Sequence, residues 1–120
     1  MSELEIIQQQ QIVFYDDEII AIRLSDYSVM VPLKPVTDAM GLSWSGQFER
    51  VKRDIILNEV TMSIRVTRID PKNTEPHTSE MISIPLEYLN GFLFGINAKR
   101  VKATVQEKLL RYQRECYKVL

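Results

Sequence analysis

The most informative segment of the chain spans residues 31–54 and has the sequence VPLKPVTDAMGLSWSGQFERVKRD. It predicts the end of a strand, a short helix, a glycine break and a second helix. Pro35 suits the first position of a helix, because its missing N–H needs no partner there. Gly41 can end that helix in the left-handed conformation, and Ser43 or Ser45 can cap the next one. The segment therefore indicates a helix-turn-helix-like pair, which presents one helix to a groove or a partner.

The second helix of this pair has an apolar side and a basic side. A single buried stripe is predicted from apolar residues at spacings of four, three and four, namely Trp44, Phe48, Val51 and Ile55. Arg50 and Arg53 are expected to point away from the stripe, with Gln47 and Lys52 on its flanks. An ordinary helical pair with a solvated charged face fits the same pattern.

The strands expected elsewhere in the chain indicate an α+β fold with small antiparallel β units. The predicted strands are residues 12–15, 18–24, 29–33, 60–68 and 80–85. Residues 69–79 form a polar, breaker-rich connection that is expected to be a long hairpin tip. Such a hairpin after a helical pair suits a wing beside a nucleic-acid backbone, with Arg65, Arg68 and Lys72 as its bases. An exposed loop with incidental bases is the alternative.

Two further helices are predicted in the carboxyl-terminal third. One begins at Leu86 and ends near Gly91 or Gly95, and a long final helix runs from about Ala98 to the carboxyl end. The apolar face of the final helix consists of Val101, Val105, Leu109, Tyr112, Cys116 and Leu120. Residues 1–11 are expected to be a loosely ordered lead-in, which leaves residues 12–120 as a single domain.

Length and composition limit the class of protein. A chain of 120 residues, 45% hydrophobic and 26% charged, is expected to form one globular domain. No apolar run approaches the roughly 18 residues that span a bilayer, and the amino terminus lacks the pattern of a signal peptide. We therefore expect a cytoplasmic protein with no membrane contact. The single cysteine, Cys116, cannot form an internal disulfide, in agreement with a reducing compartment.

Positive charge collects at the carboxyl end of a chain whose net charge is -1. Residues 97–120 carry seven basic and two acidic side chains. A basic segment suits phosphate backbones, yet a pI near 5.8 lacks the excess of charge that most simple DNA binders show. An acidic or mixed-charge protein partner fits at least as well.

The residue pattern argues against an enzyme. His77 is the single histidine, and no cysteine or carboxylate is spaced with it for a catalytic triad or a zinc site. The four glycines fit neither a dinucleotide-binding nor a P-loop spacing. We expect no catalytic residue, no metal and no cofactor.

Several motifs occur in a characteristic order: VPLKP at 31–35, GLSWS at 41–45, IPL at 84–86, GFLFGIN at 91–97 and LRYQRECY at 110–117. In this order they resemble the amino-terminal domain of tailed-phage antirepressors, a relative of the Bro-N domain. The resemblance covers residues 12–120. It implies a phage or prophage regulator that binds a lytic-cycle repressor in the bacterial host cell and blocks its DNA binding, whereas Bro-type relatives bind DNA themselves. Many such antirepressors continue into a separate carboxyl-terminal domain.

The leading hypothesis is a regulator that binds a repressor protein and relieves repression. Its predicted contacts are Gln47, Arg50, Lys52, Arg53, Lys99, Arg100 and Lys102. The alternative is a transcription regulator that binds double-stranded DNA, with Arg50 or Arg53 at the bases and Lys99, Arg100 and Lys102 at phosphates. A homo-oligomer through the final helix, with Leu110 and Tyr117 beside its apolar face, is compatible with both. Because Arg50 and Arg53 are expected to point outward, their replacement by alanine is expected to leave the fold intact.

Overall fold

The computed structural model describes residues 5–14, 17–70 and 73–119, with side chains described for 5–11, 18–67, 75–111, 113 and 114. In this part of the chain the strands are β1 (Ile6–Phe14), β2 (Asp17–Leu24), β3 (Val29–Pro32), β4 (Met62–Asp70) and β5 (Asn73–Pro85). The helices are α1 (Leu33–Ala39), α2 (Trp44–Arg53), α3 (Ile55–Val60), α4 (Leu86–Phe94) and α5 (Ala103–Val119), with a 3-10 turn at Ala98–Arg100. None of the described helices is long and apolar enough to cross a membrane.

The five strands form one antiparallel sheet in the order β1-β2-β3-β5-β4. The α+β class is confirmed, but the expected strand units are not separate. Val31 of β3 pairs with Ile84 of β5, and Pro32 pairs with Ser83, so the amino-terminal meander is joined to the later hairpin. This pairing joins residues about fifty positions apart in the sequence, and local alternation does not encode it.

The sheet has an apolar layer on each face, because neighbouring residues of a strand point to opposite sides. On one face Ile19, Val31 and Ile84 pack with buried residues of the helices. On the other face the sheet encloses a second core of its own, formed by Ile20, Ile22, Leu24, Met30, Ile64 and Val66. Gln9 of β1 donates its Nε2–H to the carbonyl of Thr67 in β4, at 2.8 Å. Since β1 and β4 are opposite edge strands, this hydrogen bond shows that the sheet curls.

The first strand begins earlier than expected. Residues 6–11, which the sequence analysis assigns to a loosely ordered lead-in, lie in β1 and pair with β2. Gln9 pairs with Ile22, and Gln11 pairs with Ile20. The described side chains of β1 are exposed. Backbone hydrogen bonds to the apolar β2 hold β1 in the sheet although most of its described side chains are polar. An analysis of apolar alternation does not detect such a strand.

The hairpin of β4 and β5 is longer than its sequence indicates. Pairing continues to Ile69 with Pro76 and to Asp70 with Asn73, so the expected loop at residues 69–79 is wrong over most of its length. Pro76 is tolerated because β3 reaches β5 only at residues 83–85, which leaves the outer side of this segment unpaired in the described sheet. Of the predicted wing bases, Arg65 forms an exposed 3.4 Å ion pair with Glu80. The side chain of Arg68 and the whole of Lys72 lie outside the described residues.

The break between α1 and α2 lies where the sequence predicts it, but α1 begins at Leu33, so Pro35 is its third residue and not its first. Gly41 has φ +72°, and its lack of a Cβ lets Lys102 pack closely against it. Ser43 caps α2 by accepting a hydrogen bond from the N–H of Gly46, at 3.4 Å. Whether the pair acts as a helix-turn-helix stays a prediction.

The second helix ends at Arg53, so the predicted apolar stripe does not reach Ile55. Asp54 interrupts it: the Oδ1 atom of Asp54 accepts hydrogen bonds from the N–H groups of Ile56 and Leu57, both at 3.0 Å, and begins α3. Leu57 is buried in place of Ile55. Ile55 is 82% exposed.

The last helix begins at Ala103 and not at Ala98. Asn97 does act as a cap, as predicted, but it accepts from the N–H of Lys99 and begins only the 3-10 turn. The backbone N–H of Lys102 then donates to the carbonyl of Met40, at 3.0 Å, which ties the start of α5 to the end of α1. Val105 and Leu109 are buried as predicted, and Leu110 is half-buried. The side chain of Tyr117 lies outside the described residues.

The turn between β2 and β3 holds a strained tyrosine. Tyr27 has φ +68°, a conformation that costs a non-glycine residue about 1–2 kcal/mol, and its side chain is 72% exposed. We expect Tyr27→Gly to leave the free energy of unfolding unchanged or to raise it by up to about 1 kcal/mol, measured by urea denaturation. Tyr27→Ala, which keeps the strain, serves as the control. A loss above about 1 kcal/mol in the glycine variant alone would contradict this prediction.

Candidate recognition cleft

A cleft of about 400 Å³ lies between α2 and the segment that joins α4 to the 3-10 turn. Its polar lining consists of Ser43, Gln47, Arg50, Arg53, Asn97 and Arg100. Four of these, Gln47, Arg50, Arg53 and Arg100, are among the seven predicted contact residues. The fold therefore brings together two predicted clusters that are about fifty residues apart in the sequence.

The side chain of Arg50 is held against α4 by contacts within the protein. It is half-buried, its Nη2–H donates to the carbonyl of Phe92 at 2.8 Å, and its Nη1–H donates to Oε1 of Gln47 at 2.9 Å. The guanidinium also lies over the ring of Phe92, 4.7 Å from the centroid. The expectation that Arg50 points away from the core is thus wrong. A helical wheel of α2 cannot show that Phe92, from another helix, is within reach.

Burial lowers the pKa of the Arg50 guanidinium but leaves the group positively charged. Desolvation lowers the pKa of the Arg50 guanidinium from its usual value, and the nearby Asp54 carboxylate partly offsets this change. An arginine remains protonated at neutral pH under such shifts. The cleft therefore contains a permanent positive charge that is partly withdrawn from water.

Gly95 gives Arg50 the room to reach α4. A Cβ atom at Gly95 would overlap Nη2 of Arg50. The backbone at Gly95 has φ -82°, which any residue adopts, so this position needs a glycine for space and not for conformation. The closest atom is the end of a flexible side chain, and the guanidinium would have to leave its position.

The carboxyl end of α4 is held by a second side chain that sequence reasoning missed. The Nε2 amide of Gln113 donates to the carbonyls of Leu93, Phe94 and Ile96, at 3.2, 3.2 and 2.9 Å. The last carbonyls of a helix have no partner within it, so donors here are stabilising. A signal was available: Gln113 lies four residues after the buried Leu109, on the inner face of α5.

Arg53 and Arg100 differ from Arg50 in being exposed. The Nε–H of Arg53 donates to the carbonyl of Glu49 at 3.3 Å, a long hydrogen bond. Among the described side chains, neither arginine forms an ion pair. Two positively charged side chains at the cleft are therefore available to an external anion.

The family described as the P22_AR N-terminal domain matches residues 10–120. The chain belongs to this family. It is the family of phage antirepressor amino-terminal domains, related to Bro-N, so the resemblance drawn from the motifs is confirmed. No curated protein and no solved structure matches the chain. Membership of the P22_AR N-terminal family indicates a regulatory domain of the phage antirepressor type.

The three remaining predicted contacts of this P22_AR N-terminal domain do not line the cleft. Lys52 is exposed, and its Nζ lies 5.2 Å from the ring centroid of Phe48. Lys99 and Lys102 are exposed on either side of Arg100. All three therefore contribute to the charge of the surface outside the cleft.

Two exposed isoleucines lie next to the basic end of α2. Ile55 is 82% exposed and Ile56 is 54% exposed, directly after Lys52, Arg53 and Asp54 in the chain. Sequence reasoning missed them because Ile55 fits the spacing of the buried stripe. The Asp54 cap was the available signal, since an aspartate before an apolar run is typical of a new helix.

We expect Gly95→Ala to displace the Arg50 guanidinium and to lower the free energy of unfolding by about 1–2 kcal/mol, since a hydrogen bond from a charged donor is lost or lengthened. Urea denaturation measures the change. In an Arg50→Ala background the same glycine substitution should cost almost nothing, because the overlapping side chain is gone. Equal losses in both backgrounds would contradict the proposed contact.

Proposed function

We propose that this P22_AR N-terminal domain acts as a phage antirepressor-type regulator by binding a repressor protein, so that repression is relieved in the cytoplasm of the bacterial host. The proposed surface comprises the basic end of α2, the start of α3 and the cleft. Family membership supports the regulatory role. The choice of a protein partner is supported by the chemistry of this surface.

The main support is the pair Ile55 and Ile56, exposed beside Lys52 and Arg53. Interfaces between proteins typically combine an apolar centre with arginine and a polar rim. Burying a fully exposed isoleucine contributes about 1.5–3 kcal/mol. A phosphate backbone offers no apolar surface to such a side chain. Two adjacent isoleucines on a surface therefore favour a protein partner over the backbone of a duplex.

The overall charge supports the same choice. Duplex binding is driven by the release of counterions from many phosphates, which requires a broad cationic surface. This chain has a net charge of -1, and three of its arginines converge on a concave cleft. A recessed arrangement suits single side chains of a protein better than the continuous backbone of DNA.

The proposal is tested with the repressor encoded by the phage genome that carries this gene. We expect a stable complex in size-exclusion chromatography, and displacement of the repressor from a fluorescently labelled operator duplex. Failure to form a complex would contradict the proposed function. Binding of the duplex by this chain alone, with a steep dependence on salt, would favour the DNA-binding alternative.

A charged residue at the isoleucine pair should disrupt the complex. We expect Ile55→Glu to weaken repressor binding at least tenfold, because a carboxylate would be placed in an apolar contact. The variant should fold normally, since a glutamate in the first turn of α3 is compatible with the helix dipole. Ile7→Glu is the matched control: Ile7 is 51% exposed on β1, in a different part of the fold. Equal losses in the two variants would contradict the assignment of the surface.

A further inference from the structure

We propose that the cleft between α2 and the 3-10 turn binds the carboxylate of an aspartate or glutamate side chain supplied by the repressor partner. This inference rests on the proposed function, which it deepens by naming the chemistry of one contact. It is carried by three arginines that meet at one cleft, none of which forms an ion pair with another described side chain.

One of the three arginines is held in place by the protein, and the other two are exposed. Arg50 is held by the Phe92 carbonyl and by Gln47, so its position is fixed before any ligand arrives. Neither of these partners is negatively charged, and the positive charge of Arg50 is therefore not neutralised by them. Arg53 and Arg100 are exposed at the rim. A ligand would meet one prearranged cation and two adjustable ones.

A carboxylate matches this arrangement in size and in hydrogen bonding. Each guanidinium has a planar fork of N–H donors that fits the two oxygens of a carboxylate. A volume of about 400 Å³ admits an aspartate or glutamate side chain with part of its backbone. The prior fixing of Arg50 reduces the entropy lost on binding. Gln47 then serves as a positioning residue, because it acts on the ligand through Arg50.

The surroundings favour a protein carboxylate over a duplex phosphate. The neighbouring Ile55 and Ile56 are suited to an apolar contact with the same partner. The exposed acidic residues Glu49 and Asp54 directly precede Arg50 and follow Arg53 in the chain, and they would repel a continuous line of phosphates more strongly than a single carboxylate.

In the first test, short peptides of defined sequence are titrated into the full chain. Side-chain Nε–H signals of arginine are followed by NMR while acetyl-Ala-Glu-Ala-amide is added, and acetyl-Ala-Gln-Ala-amide is the neutral control. We expect the glutamate peptide to shift the Arg53 and Arg100 signals. The glutamine peptide should not shift them, and Arg23, exposed on β2, should not respond to either. Equal shifts at Arg23, or shifts with both peptides, would overturn the inference.

The second test measures the repressor complex. Arg100→Ala and Arg53→Ala should each raise its Kd about tenfold or more, because each removes a hydrogen bond between charged groups. Arg23→Ala is the matched control, with the same loss of charge, and should change the Kd less than twofold. A charge-reversed Arg100→Glu should be rescued when one acidic residue of the repressor is replaced by lysine.

The two tests separate the failure of the inference from that of the proposed function. An intact complex that is indifferent to Arg53 and Arg100 would overturn the carboxylate contact and leave the repressor as partner. Absence of any complex would overturn the proposed function, and with it the repressor as the protein that supplies the carboxylate. The peptide titration would still show whether the cleft binds a carboxylate. A short DNA duplex that shifts the same signals at lower concentration than the glutamate peptide would overturn the inference in favour of phosphate.

Discussion

Replacing Phe92 with alanine is expected to lower the free energy of unfolding by about 3–5 kcal/mol. Phe92 is fully buried in the helical core, so its removal leaves a cavity among closely packed side chains. The Arg50 guanidinium also loses the ring over which it lies. Urea denaturation followed by far-UV circular dichroism measures the effect.

Phe48→Ala is the matched control for this substitution. Phe48 is half-buried and stacks on Trp44 with 5.6 Å between ring centroids, so less apolar surface is lost when it is removed. We expect its cost to be at least 1 kcal/mol smaller than that of Phe92→Ala. A loss of under about 1 kcal/mol for Phe92→Ala would show that Phe92 is not packed in the helical core.

The second large effect is expected for Arg50→Ala, which should lower the free energy of unfolding by about 2–3 kcal/mol. The variant loses a hydrogen bond from a charged donor to the Phe92 carbonyl, and a cation–π contact with the same residue. This reverses the expectation, drawn from the helical pattern alone, that the substitution would leave the fold intact. The same denaturation experiment measures the change.

Arg53→Ala separates this structural role from a general effect of charge. Arg53 lies on the same helix but is exposed, so we expect a change within about 0.5 kcal/mol. Arg50→Lys keeps the charge and loses the planar fork, and it should recover only part of the stability. If Arg50→Ala and Arg53→Ala were equally harmless, the contact with Phe92 would have no energetic importance.

Features of the fold that depend on neighbouring residues could be predicted from the sequence. The left-handed glycine at Gly41 ends α1 and the Ser43 cap begins α2, and both could be predicted because each acts within one turn of the chain. The alternation of Ile19 and Ile20 likewise places them on opposite faces of a strand. The cap at Asp54 was equally local, and the apolar spacing through Ile55 obscured it.

Features that depend on distant residues could not be predicted in this way. The pairing of Val31 with Ile84 creates the single sheet, and nothing in either strand specifies the other. The same reasoning applies to the site. Arg53 and Arg100 were predicted as contacts from their charge, but their meeting at one cleft depends on the packing of α2 against the end of α4.

The two apolar layers of the sheet have a consequence for how the molecule opens. Ile19 and Ile20 are adjacent and belong to different cores, as do Met30 and Val31. Loosening the helices would expose one side of β2 and β3 while the enclosed side remained dry. Amide protons in β2 and β3 are therefore expected to exchange with deuterium later than those of the helices. Exchange in these strands requires that the apolar cores on both faces of the sheet open.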